Sequence, residues 1–173
     1  LPSRESQGAS FTLQLRQPAW AERMAVAVNG AGVLEGDFRR FDASEIPSSG
    51  FDPTRAAFVP LPRTWSVGDL VKLTFDMPIQ VRRAPQRVGA CRGKVALTRG
   101  PLVYCLENPD NPGEDLFTVR LDVDSLQTID KPDLLGGITV ISARSRSGTP
   151  LTFIPYHLWG NRGESRMTVW VRE

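Results

Sequence analysis

Apolar and polar side chains alternate along most of this chain, which is the period of a β-strand with one face buried. In "FTLQLR", Phe11, Leu13 and Leu15 fall on one face and Thr12, Gln14 and Arg16 on the other. "MAVAVNG" reads as a second strand ending in Asn29-Gly30, and Asn-Gly tolerates the positive φ angles of a two-residue hairpin. Residues 35–54 are polar and carry Gly36, Pro47, Gly50 and Pro53, so they read as a long loop holding at most one short strand. "AAFVPL" resumes the strand pattern. "DLVKLTFDMPIQVRR" gives one strand through Val71, Leu73 and Phe75 and another beyond Pro78.

A break follows at "RRAPQRVGACRGK", which mixes Pro, Gly and charge as domain edges do. Strand-like runs then return in "KVALTRG", "PLVYCLE", "DLFTVRLDV", "GITVISARS", "PLTFIPY" and "MTVWVRE", separated by turn clusters such as "NPDNPGED" and "RSRSGT". In "MTVWVRE", Met167, Val169 and Val171 share one face, with Thr168, Trp170 and Arg172 on the other. Nowhere do apolar residues recur at helical spacing over three turns. The expectation is an all-β chain of β-sandwich or jelly-roll type, one complete sandwich plus part of a second, with no long helices. The break divides it into residues 1–86 and 87–173, packed as two units or as one.

Composition changes this picture little. With 173 residues, 40% hydrophobic and 23% charged, the chain can bury a real core and is not of disordered type. No run approaches the roughly 18 apolar residues of a membrane helix. Net charge is only +2, and the arginines are interleaved with acids. Their densest patch, Arg82, Arg83, Arg87, Arg92 and Lys94, reads as a solvated surface before it reads as a nucleic-acid site. "LPSRESQGAS" has no signal-peptide core and does not begin with Met, so a processed product or a piece of a longer protein is expected.

The chemistry-bearing residues are few. Cys91 and Cys105 form no CxxC pair, and with one histidine they make no recognisable metal set. A disulfide between them is open, and Cys105 in "LVYCLE" reads first as a buried strand residue. His157 stands alone without a nucleophile elbow, and such a histidine is more often packed and hydrogen-bonded than catalytic. A glycosidase needs two carboxylates across a sugar. The acids Glu107, Asp110, Glu114 and Asp115 cluster in a proline-rich turn, where acids are common for turn reasons alone. No catalytic residue and no metal ligand is assigned. Trp20, Trp65 and Trp159 are candidates either to stack on a sugar or to plug the ends of a sandwich against a neighbouring domain. Arg162, in the turn "WGNRGES", joins them as a docking candidate.

Five segments occur in a telling order: "FTLQLRQPAWA", "VAVNG", "LPRTWSVGDLVKLTFDMPI", "VALTRGPLVYCLEN" and "IPYHLWGNRGESRMTVW". Together, from Phe11 to Trp170, they resemble the β-rich C-terminal part of the bacterial glycoside hydrolase family 127, the β-L-arabinofuranosidase family. The resemblance implies that residues 1–86 are part of a middle β-sandwich domain and residues 87–173 a C-terminal one. It implies a separate α/α-barrel catalytic domain with a cysteine nucleophile in a zinc site made by cysteines and a glutamate. Cys91 and Cys105 do not match those cysteines, so no catalytic or zinc-binding role is carried onto this chain. Where the family pattern often has a second aromatic after Tyr156, this chain has His157.

Three functional readings follow. In the first, the chain is a non-catalytic β region that supports the barrel; it needs no cofactor of its own, its partner is the barrel, and an apolar docking patch or self-association of the isolated chain is expected. In the second, it is a carbohydrate-binding module using exposed tryptophans. In the third, the chain is an independent β-sandwich interaction protein whose arginine patch binds an acidic partner. Neither nucleic acid nor membrane is expected as a partner. The compartment, bacterial cytoplasm or beyond it, is set by a targeting signal expected upstream.

Overall fold

The computed structural model describes residues 8–36 and 57–173 of the chain. The loop read over 35–54 therefore lies, from residue 37 onward, outside the described residues. Two compact units are present, Leu1–Met77 and Pro78–Glu173. Among the described residues the helical segments are short 3-10 turns, and the rest of the regular structure is strand.

In the first unit, β1 (Ala9–Gln17) pairs antiparallel with β4 (Ala57–Trp65). A second sheet has the order β3-β2-β5, with β2 at Met24–Val28, β3 at Ala31–Gly36 and β5 at Val71–Phe75. The alternation read from sequence is the reason these pack. Leu15, Val59, Leu61 and Trp65 from one sheet meet Met24, Val26, Val28 and Leu73 from the other in a single apolar cluster. The Asn29-Gly30 hairpin forms as expected, with φ of 52° and 84° at its two residues.

The Asn29 side chain also ties this hairpin to the turn after Trp65. Its Nδ2 donates to Asp69 Oδ1 at 2.8 Å, and its Oδ1 accepts from the Leu70 N–H at 2.9 Å. Asp69 Oδ2 accepts from the Ser66 N–H at 2.9 Å. The Ser66 and Asn29 donors hold the Asp69 carboxyl below its ordinary value. Two short segments that look unrelated in sequence, "VNG" and "W-S-V-G-D", are thus one hydrogen-bonded corner.

In the second unit, β6 (Ile79–Arg83) pairs with β7 (Lys94–Arg99) along its whole length. That pairing moves the division of the chain to Met77/Pro78 from the expected position after residue 86; "RRAPQRVGACRGK" is the connection between two paired strands. The sheet continues from β7 through β8 (Leu102–Glu107), β11 (Pro150–Pro155) and β10 (Ile138–Ser145) to β9 (Leu121–Lys131). Ile79 and Val81 from one end of this order and Leu121 and Val123 from the other enter the same core with Tyr104, Leu106, Ile141 and Phe153. The sheet therefore curls around a single interior. Cys105, Val140 and Ile154, on the opposite face, form a second buried cluster with Met167 and Val169.

Two sequence expectations fail here for physical reasons. The strand expected over "DLFTVRLDV" starts only at Leu121, because Asp115 folds the preceding residues into a turn: its Oδ1 accepts from the Phe117 N–H and its Oδ2 from the Thr118 hydroxyl. The strand then runs on through the polar "SLQTIDK", which lies at the end of the sheet order and needs little apolar alternation. The single strand expected over "MTVWVRE" is two, β12 (Met167–Thr168) and β13 (Val171–Arg172). β12 pairs with β8 and β13 with β7, so the segment changes partner where those two strands separate. The Thr168 hydroxyl donates to the Trp170 carbonyl across the break at 3.0 Å. One continuous face is thereby lost: Met167 and Val169 pack in one cluster, Val171 in the other.

Candidate functional site

The segment 156–166 holds the densest polar network of the second unit. A charged residue at the end of an apolar strand must find partners or pull the strand end into water. Glu107, the last residue of β8, is fully buried and finds them in this segment. Its Oε2 accepts from Arg162 Nη2 at 2.6 Å. Its Oε1 accepts from the Gly160 N–H at 2.8 Å and from the Ser165 hydroxyl at 2.5 Å. Burial pushes the Glu107 carboxyl up, but the Ser165, Gly160 and Arg162 donors together outweigh it, and the group sits below its ordinary value.

Asp110, in the 3-10 turn Asn108–Asp110, completes the set. Arg162 grips it with both terminal nitrogens, at 2.7 and 2.5 Å, as a planar guanidinium does with a carboxylate. The Asp110 hydrogen bonds first, and Glu107 after them, hold Arg162 above its ordinary value against partial burial. Asn108 adds a two-point clasp: its Oδ1 accepts from the Arg166 N–H at 2.7 Å and its own N–H donates to the Arg166 carbonyl. Behind the turn the buried Asn111 amide donates to the Glu107 and Thr152 carbonyls and accepts from the Thr152 N–H. Chemically this is one cation between two anions, with every oxygen of Glu107 and the guanidinium fork engaged. It holds a loop; it offers no free nucleophile, acid or base.

The candidate residues fare differently. Arg162 is a centre of this network and is not a free docking charge. Trp65 belongs to the core of the first unit, 7% exposed, its indole N–H donating to the Phe11 carbonyl at 3.1 Å and its ring stacked on Phe11. It is no sugar platform. Trp20 is half-buried and meets Phe75 edge-on at 5.5 Å between ring centroids. Trp159 alone of the three is exposed, at 40%. It lines an open cleft of about 640 Å³ with Asn108, Gly160, Gly163, Glu164, Ser165 and Arg166.

His157 is exposed in the 3-10 turn Tyr156–Leu158 and has no hydrogen-bond partner among the described residues, so it is not the packed histidine expected. Cys91 and Cys105 are both free thiols. Cys105 is fully buried, and burial, with Glu107 and Asp110 adding to it, pushes its thiol up to about 12. Among the described residues no group of three or more His, Cys, Asp or Glu is placed to hold a metal ion. In the arginine patch, Arg83 pairs in two-pronged fashion with Glu173 at 3.0 and 2.5 Å, and Arg82 donates to Thr98.

Comparison with known proteins covers both units. Residues 3–77 match the model of the β-L-arabinofuranosidase GH127 middle domain, and residues 79–172 match the glycoside hydrolase family 127 C-terminal domain. A non-reducing end β-L-arabinofuranosidase of Bifidobacterium longum subsp. longum is 35% identical over 128 residues, 59% of this chain and 19% of that protein. A crystal structure of a GH127 β-L-arabinofuranosidase from Geobacillus stearothermophilus T6 superposes with TM-score 0.69 at 34% identity, over 100% of this chain and 30% of that one. A GH127 β-arabinofuranosidase gives TM-score 0.64 at 28% identity, over 99% and 31%. The chain thus spans about a fifth to a third of the length of these relatives.

Proposed function

The chain belongs to glycoside hydrolase family 127, as its middle and C-terminal β domains, and from this we propose that it is a non-catalytic support for a catalytic domain that acts on β-L-arabinofuranosides. One observation carries the reading. Three of the four carboxylates that sequence made candidates for glycosidase chemistry are engaged in holding the fold: Glu107 and Asp110 share Arg162, and Asp115 closes a turn, which leaves Glu114 without a second free carboxylate from that set. A retaining or inverting pair needs one carboxyl free to give a proton and another free to attack or to activate water.

The supporting surface is apolar and small. On the hydrogen-bonded turn held by Asp69, Val67 is 91% and Leu70 68% exposed, two aliphatic side chains at its tip. We assign this tip to docking on the catalytic domain. The test is an assay of the chain alone on an aryl β-L-arabinofuranoside, beside the same assay after mixing with the family's separately expressed barrel domain. The reading expects no turnover by the chain alone and a more heat-resistant barrel on mixing. Turnover by the chain that is lost in a Glu107→Gln variant would sink it.

A further inference from the structure

The cleft beside Trp159 is left unused by the supporting role, and its lining has a consistent chemistry. Trp159 contributes an exposed aromatic ring. Asn108 accepts from Arg166 through Oδ1, which leaves its Nδ2 amide with no partner among the described residues. The Glu164 carboxylate and the Arg166 guanidinium also line the cleft; neither has a hydrogen-bonded partner there among the described residues, and Arg166 acts on the nearby Asp115 carboxyl only through its charge. The floor is held in place. Gly160 and Ser165 donate to buried Glu107, and Asn108 is clasped to Arg166 at two points. The floor of the cleft is thus fixed, and a ligand has only the exposed side chains around it to order.

One carboxylate and one guanidinium leave the cleft without net charge, which disfavours a phosphate or a polyanion. An acceptor, an amide donor and a guanidinium donor around an aromatic ring suit a neutral ring that has an apolar C–H face and adjacent hydroxyls. The cleft, about 640 Å³ and open to solvent, has room for one sugar ring against Trp159. We infer that this cleft binds a neutral saccharide, with Trp159 beneath the sugar ring and Glu164, Arg166 and Asn108 on its hydroxyls.

The cleft's chemistry stands apart from the docking proposal, and only the choice of an arabinofuranoside probe rests on the family. The experiment is calorimetric titration of the chain with methyl β-L-arabinofuranoside and, separately, with methyl β-D-glucopyranoside. Saturable binding of at least one sugar is expected, with Kd on the order of millimolar. Trp159→Ala should weaken it by about tenfold or more, and Glu164→Ala by several-fold. Both side chains are exposed, so both variants should melt with the wild type, and a melting curve for each verifies this. Failure of both sugars to saturate at about 50 mM overturns the inference, as does a Trp159→Ala variant that binds like the wild type. Either failure leaves the turnover and mixing tests of the supporting role unaffected.

Discussion

Arg162 Nη2 lies 2.6 Å from Oε2 of the fully buried Glu107, 55 residues earlier in the chain, and 2.5 Å from Oδ2 of Asp110. That relationship fixes what the loop 156–166 is for. Its arginine closes the open end of β8 and holds the loop from which Trp159 lines the cleft.

Removing the cation should therefore unfold this end first. Arg162→Ala leaves a buried carboxylate with only its Ser165 and Gly160 donors. Breaking a buried ion pair costs about 3–5 kcal/mol, and since the Arg162 side chain is 25% exposed we expect about 2–4 kcal/mol. Urea unfolding measures it. Hydrogen exchange at Gly160 and Arg166, whose N–H groups the network holds, should speed up before exchange in the rest of the sheet does.

Acid should act through the same group. The Glu107 carboxyl is lower in the folded than in the unfolded chain, so its contribution is fully present above the ordinary value near 4.5 and is lost as pH falls through the lower folded value. Asp115 and Glu173, also lowered, share the sign. The urea midpoint should hold steady from neutrality to about pH 5 and fall below it. Glu107→Gln should be less stable at pH 7 yet lose less on acidification, and equal slopes for the two proteins would remove Glu107 from the account.

The tryptophans should separate cleanly. Trp65→Ala empties a core position and should cost about 3–5 kcal/mol. Trp159→Ala, at an exposed position, should stay within about 0.5 kcal/mol of wild type. Thermal unfolding of the two variants side by side decides it.

Thiol labelling should follow burial. Cys91 is half-buried and Cys105 fully buried with its thiol pushed up to about 12, so a maleimide at neutral pH should modify Cys91 alone. Cys105 should react only in denaturant. Two fast-reacting thiols in the native protein would contradict the burial of the Cys105–Val140–Ile154 cluster.

At the hairpin corner, Asp69→Ala should loosen the Val67–Leu70 tip without touching the core. Proteolysis near Gly68 should become faster, with near-UV dichroism of the tryptophans retained.

By itself the sequence determined the elements whose signals are local. Alternation named β1, β2 and β5 and the strands from Lys94 to Leu106, Asn29-Gly30 named its hairpin without naming the strand β3 that follows it, and the ordered segments carried the family. The first two link residues near in the chain to an intrinsic preference, and such preferences survive without a fold. Tertiary structure alone decided the rest. It placed Met167 and Val171 on different strands, made Trp65 core and Trp159 surface, and brought Arg162 to Glu107 and Asp110. Burial and long-range ion pairing depend on which segments meet in space, and a pairing across 55 residues leaves no periodic trace in the chain.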